Sequence, residues 1–131
     1  MKIPLFALSA IMLAVLVSCA PAACTDKTDP ASVVKAYYDA ENADDLEAAM
    51  ALIADDAVFT FPLAGQHTGQ DEIREWEQYA MQTGGDFELS NIQVADETVT
   101  FTANFLWGGL RLKHDYEVIV QCCKIKSLTA K

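Results

Sequence analysis

Three stretches with a helical repeat precede a series of alternating ones. Asp29-Pro30 offers an N-cap followed by a proline at the first helical position, and Val34, Tyr37 and Tyr38 then fall at i, i+3 and i+4. This predicts a first helix from about Pro30 to Asn42. Asp44 with Glu47 three residues on resembles a capping box, after which Leu46, Ala49, Met50 and Ile53 form one apolar stripe; a second helix should end near Ala54, where Asp55-Asp56 breaks the pattern. Val58 to Phe61 is a short β-branched and aromatic run that Pro62 stops. A glycine loop, Gly65 to Gly69, leads to a weaker cap pair, Thr68 with Asp71, ahead of Ile73, Trp76 and Ala80, and Gly84-Gly85 ends that third helix.

From there the period is two. Phe87 to Val94 reads as a less regular strand, bulged near Ser90-Asn91. Val99, Phe101, Ala103, Phe105 and Trp107 alternate with Thr100, Thr102, Asn104 and Leu106, as in a half-buried antiparallel strand. Gly108-Gly109 makes a hairpin turn into a strand whose inward set is Leu112, His114, Tyr116, Val118 and Val120, with Lys113, Asp115, Glu117 and Ile119 outward. Ile125 to Thr129 supplies a last short strand.

Composition changes this picture at the N-terminus. The chain has 131 residues, enough for one domain, and its 52% hydrophobic content includes an uncharged apolar run from Ile3 to Val17 behind Lys2. That run is too short for a membrane span and has a signal-peptide layout. Leu16-Val17-Ser18-Cys19 resembles the bacterial lipobox, in which the cysteine receives lipid and becomes the mature N-terminus. Ordinary secretion, with cleavage around Ala20 to Ala22, is the alternative. The expected organisation is a signal peptide over 1–18, a tether over 19–29 and a domain over 30–131.

Charge narrows the partners. The formal net charge is −10, and removal of residues 1–18 leaves eight basic against nineteen acidic residues. Such a chain is unsuited to nucleic acid, whose phosphates need Lys and Arg, and anionic lipid headgroups would repel it. Any membrane attachment rests on the lipid anchor alone.

The helix–helix–strand–helix order, the Asp55-Asp56-Ala57-Val58-Phe59 run, Gly69 ahead of Ile73, and Lys124-Ile125 opening the last strand together resemble the nuclear transport factor 2-like superfamily, in its SnoaL-like branch. The resemblance covers about Ala31 to Ala130. It implies an α+β fold: a cone-like, curved mixed or antiparallel sheet wrapped by three N-terminal helices around an internal pocket. The superfamily includes isomerases, dehydratases, epoxide hydrolases, polyketide cyclases and plain binding or dimerisation modules, so the fold does not define the function. In ketosteroid isomerases the resemblance would place the general-base aspartate immediately before the proline that ends the embedded strand, where this chain has Phe61. An aromatic ring cannot accept that proton. The oxyanion-hole tyrosine of those enzymes falls on Tyr37, and their second oxyanion-hole acid falls on Tyr116.

The residues themselves offer one catalytic constellation. His114, on the same strand face as Tyr116, would be a general base, with Tyr37 and Tyr116 holding a developing oxyanion. Against it stands the common role of half-buried His and Tyr as satisfied core residues. His67 reads as a solvated loop residue, with overhang of the pocket mouth as the alternative, and Arg111 as a solvent-facing strand end, with contact to an anionic ligand as the alternative. Two histidines without ligand-spaced partners make no metal site, and phosphate loops, nucleophile elbows and dinucleotide fingerprints are absent, so no cofactor is expected. Cys122-Cys123 departs from the family's acidic-or-Asn-then-Gly turn. Pairing of one of them with Cys24, or no bond, is expected rather than a strained bond between neighbours, and a lipidated Cys19 would leave an odd thiol.

Three functions fit. The leading one is a lipid-anchored domain that holds a small, mostly apolar molecule among Phe59 or Phe61, Trp76, Phe101, Phe105 and Tyr116. The second is a cofactor-independent isomerase, dehydratase or cyclase using His114 with the two tyrosines. The third is a non-catalytic partner-binding module, and homodimers through the sheet face are frequent in the family.

Overall fold

The computed structural model describes residues 28–131. The signal-peptide, lipobox and most of the tether expectations, with Cys19 and Cys24, lie outside the described residues. No helix among the described residues is long and apolar enough to cross a membrane.

Helix α1 spans Pro30–Asn42, with the Asp29 side chain accepting from the Ala31 N–H. It buries Val33, Val34, Tyr37, Tyr38 and Ala40 against the sheet. Helix α2, Leu46–Ala51, differs from expectation at both ends. Its N-cap is Asp45, whose carboxylate accepts from the Ala48 N–H at 3.1 Å, while Asp44 takes a left-handed turn conformation and Glu47 reaches across to Arg74. Its early stop has a tertiary cause: Ile53 is already in strand β1, Ile53–Phe61, paired with the last strand. Asp55 and Asp56 are therefore exposed strand residues rather than a helix break, and Asp56 pairs with Lys126.

The glycine loop is also a strand. β2, Gly65–Thr68, pairs antiparallel with β1 and sets His67 opposite Phe59. Helix α3, Gly69–Thr83, starts at Thr68, whose N–H is held by Glu72 at 2.7 Å instead of by the expected Asp71 pair. β3, Gly84–Ala95, β4, Thr98–Trp107, β5, Leu110–Gln121, and β6, Lys124–Ala130, complete one six-stranded sheet in the order β2-β1-β6-β5-β4-β3. Only β1 and β6 run parallel; β2 and β3 are open edges.

The sheet curves because its ladders slip. Register shifts interrupt β3/β4 twice, near Asp86 and near Asn91, and these two residues carry the positive φ that Asn and Asp tolerate best. Further shifts lie in β1/β6 and β5/β6. Helix α1 lies across β3 to β6 and α3 across β1 to β3, so the concave face becomes the inside of a cone. At Gly84 any side chain would stand 2.8 Å from the Leu106 carbonyl oxygen, which explains a glycine where α3 passes into β3 against β4. Lys124, opening β6, donates to the Ala51 carbonyl at the end of α2, a cation on a helix C-terminus.

The convex face is polar: Thr102 bonds Asp115 at 2.7 Å and Lys131 pairs with Glu117. Cys122 and Cys123, both at positive φ in the β5–β6 turn, are disulfide-bonded, so neither is the odd thiol that lipidation of Cys19 was expected to leave.

Candidate functional site

Inside the cone is a cavity of about 320 Å³. The sheet wall is laid down by alternation: Phe105 and Trp107 from β4, Leu112, His114 and Tyr116 from β5, Leu128 and Ala130 from β6. The helix wall presents Tyr37, Tyr38 and Glu41 from α1, and Trp76, Glu77, Tyr79 and Ala80 from α3. Phe61 to Ala64, at the β1–β2 turn, and Phe87 complete it. Trp76 and Trp107 stack at 5.8 Å with planes 17° apart, and half-exposed Tyr79 meets the edge of Trp107.

Four of the expected ligand contacts, Phe61, Trp76, Phe105 and Tyr116, line this cavity, but Phe59 and Phe101 do not. Phe59 is wholly buried beneath Tyr37, ring to ring at 6.1 Å, and Phe101 is stacked behind Tyr116 at 5.4 Å. They are the packed layer under the wall. Strand alternation cannot tell that layer from the wall itself, because both sit on the inward face.

The three residues of the expected catalytic set all line the cavity. Among the described residues no hydrogen bond joins His114 to either tyrosine. The His114 ring stacks on Phe105 at 5.8 Å, and its Nδ1 lies 3.4 Å from the Lys131 carbonyl oxygen. Tyr116 is buried, and burial pushes its hydroxyl well above the ordinary tyrosine range. The Tyr37 hydroxyl donates to Glu77 Oε1 at 2.6 Å. Burial, then the neighbouring carboxylate, hold Tyr37 protonated far beyond neutrality.

Glu77 is the centre that motif reading passes over. It is 1% exposed, and its Oε2 has no hydrogen-bond partner. Burial pushes its carboxyl up from 4.5 to about 7, against the opposing pull of the Tyr37 hydrogen bond, which favours the charged form. Glu41 is a second case: 4% exposed, one turn beyond Tyr37 on α1, with Oε1 likewise unpartnered. A signal for both does exist in the sequence. Glu77 stands four residues after Ile73 and three before Ala80, and Glu41 seven after Val34 and four after Tyr37, so each carboxylate lies on an apolar stripe.

His67 is not a solvated loop residue. It lies in β2 with its ring stacked on Trp76 at 4.8 Å and its Nε2 buried without a partner, outside the cavity lining. Arg111 is exposed, as expected. Among the described residues no three His, Cys, Asp or Glu side chains group so as to hold a metal ion.

No curated protein matches the sequence. Solved structures share the fold at low identity. An NTF2-like protein of unknown function from Cytophaga hutchinsonii superposes with a TM-score of 0.73 at 13% identity, over 82% of this chain and 92% of that one. A Sinorhizobium meliloti protein assigned as a polyketide cyclase gives 0.68 at 20%, over 76% and 94%. An LEH-like epoxide hydrolase from M. tuberculosis gives 0.66 at 17%, over 77% and 76%. The SnoaL-like domain model matches residues 34–123, which include both helix walls, the β1–β2 turn and most of the sheet wall; the chain belongs to the SnoaL-like domain family.

Proposed function

We propose that this domain binds a small, mostly apolar molecule in the cone and moves a proton on it through Glu77, a cofactor-independent reaction of the isomerase, dehydratase or cyclase type. The observation that carries the reading is the Glu77 carboxyl: buried in an apolar cavity, anchored by Tyr37 on one oxygen and open on the other. A carboxyl held near neutrality can take a proton and return it at comparable rates, which is what such reactions need. Tyr37 orients the base, and the Tyr116 hydroxyl is the donor available to a substrate oxygen. His114 joins the sheet wall as a contact for the apolar body rather than as the base. The names of the polyketide cyclase and epoxide hydrolase that share the fold are compatible with this chemistry.

Native mass spectrometry of the purified full chain is expected to reveal a co-purified small molecule. Incubation of that molecule with the protein in D₂O should incorporate deuterium, at a rate that Glu77→Gln lowers by about 10²–10⁴-fold. His114→Ala should lower it by less than about ten-fold. Equal exchange in Glu77→Gln and the unsubstituted protein would sink the proton-transfer reading, and an interior that never holds a molecule would sink the pocket itself.

We also propose that the domain is displayed outside the cytoplasm on a lipid at Cys19, supported by the Leu16-Val17-Ser18-Cys19 run. Metabolic labelling with a fatty acid should mark the full chain and not Cys19→Ser.

A further inference from the structure

We infer that the occupant of the cavity is an organic cation, an ammonium group on an apolar body, held between the Glu41 and Glu77 carboxylates and the surrounding aromatic rings. The inference rests on the proposed cavity and adds the charge of its ligand.

The lining contains two carboxylates and no Lys or Arg. Each carboxylate keeps one buried oxygen without a hydrogen-bond partner, an arrangement that costs free energy unless something positive or hydrogen-bonding meets it. The protein's own cations are not placed to do so. Among the described residues Arg74 pairs with Glu47, Lys126 with Asp56 and Lys131 with Glu117, while Lys124 caps α2. Lys35, Arg111 and Lys113 are exposed and outside the lining.

Position adds to charge. Glu41 follows Tyr37 by one helical turn, so it shares the face of α1 whose tyrosine grips Glu77. Both acids line the helix wall. The same lining holds aromatic rings: Phe105 and Phe87 stacked at 5.1 Å, and the Trp76–Trp107 pair beside half-exposed Tyr79. Aromatic faces attract a desolvated cation and offer nothing to an anion. An anionic ligand would meet two acidic side chains and no Lys or Arg. A neutral apolar ligand would fill the volume but leave both carboxylate oxygens unmet.

The test uses one apolar body with three heads: phenethylammonium, phenethyl alcohol and phenylacetate, titrated calorimetrically into the full chain. Phenethylammonium is expected to bind at least about ten-fold more tightly than the alcohol, with phenylacetate not binding. Glu41→Gln, which leaves the proposed proton-transfer pair in place, should weaken the ammonium by about ten-fold and the alcohol by less than about two-fold. Alcohol binding equal to or tighter than ammonium binding, in the unsubstituted protein alone, overturns the inference and leaves the proton-transfer reading standing. So does preference for phenylacetate. Deuterium exchange that is insensitive to Glu77→Gln, together with ammonium selectivity, would instead retain the cation site and remove the reaction. Failure of all three probes to bind overturns the cation site.

Discussion

The sheet wall of the cavity, carried by β4 and β5, exposes Phe105, Leu112, His114 and Tyr116 on one face of two well-paired strands, while the helix wall, carried by α1 and α3, turns two carboxylates inward among three tyrosines. On the sheet side nearly every inward residue satisfies itself by packing. On the helix side Tyr37 and Glu77 satisfy each other only halfway. The sheet wall therefore supplies shape and stability, and the helix wall carries a buried, half-paired carboxyl at a cost in stability, because replacing such a group by carbon is often neutral or stabilising. The two contributions should respond differently to mutation and to pH.

The largest effect belongs to the layer under the wall. Phe59 is fully buried, and Phe59→Ala should cost about 3–5 kcal/mol of unfolding free energy, with a loss that changes little with pH. Chemical denaturation at two pH values checks both parts. A loss under 1–2 kcal/mol would mean that this layer is loosely packed, on the order of magnitude expected for a half-exposed site.

Glu77 should impose the opposite behaviour. Its folded value of about 7 lies above the ordinary 4.5, so the native state holds the proton more tightly than the unfolded chain does. Stability from this group is complete below about 4.5 and is lost as the pH rises through about 7, by something on the order of 3 kcal/mol. Tyr37 and Tyr38 from α1 interact with it and both remain protonated across that window, and Glu41, His114 and Tyr116 share the cavity. Denaturation midpoints followed across that window should fall in the unsubstituted chain and stay nearly level in Glu77→Gln. A parallel fall in both would assign the pH dependence to other groups.

Tyr37→Phe should act between these two. It removes the one donor that favours the charged carboxylate, so it should cost about 1–3 kcal/mol where Glu77 is ionised and less where it is protonated. The Glu77 titration, read by NMR of a carbon-labelled carboxyl, should move further upward. A downward move would contradict the hydrogen-bond assignment.

The smallest effect lies away from both walls. Asp45 caps α2, which contributes nothing to the cavity lining, and Asp45→Ala should lower stability by about 1 kcal/mol, with ligand binding and exchange unchanged. Asp44→Ala should do less, since its carboxylate caps nothing. A larger loss for Asp44→Ala would restore the capping box that the sequence pattern suggests.

Much of this architecture was readable residue by residue. Asp29-Pro30 and the apolar stripe behind it predict α1 with the bounds that are found, and the alternation from Val99 to Val120 predicts β4, its turn and β5 with the right residues inward. Those elements are decided by local periodicity and by turn chemistry, both of which act over a few residues. The α2–β1 boundary differs from the helical stripe because Ile53 continues that stripe, yet pairing with Ile125 draws it into the sheet. β2 has no strand signal of its own for the same kind of reason: a glycine and three polar residues become a strand only because β1 has an edge to pair with.

The candidate site divides along the same line. The sequence by itself determined the fold family and the inward faces of the strands, because these depend on period and on residue identity. Only the tertiary structure decided that Glu77 is buried with one oxygen unpartnered, that Phe59 and Phe101 lie behind the wall, and that Glu41 shares the cavity with His114. A glutamate on an amphipathic helix is ordinarily solvated. It becomes a buried carboxyl held near neutrality when the sheet curves over it, and that curvature is built from ladder slips and long-range pairings that no local pattern records.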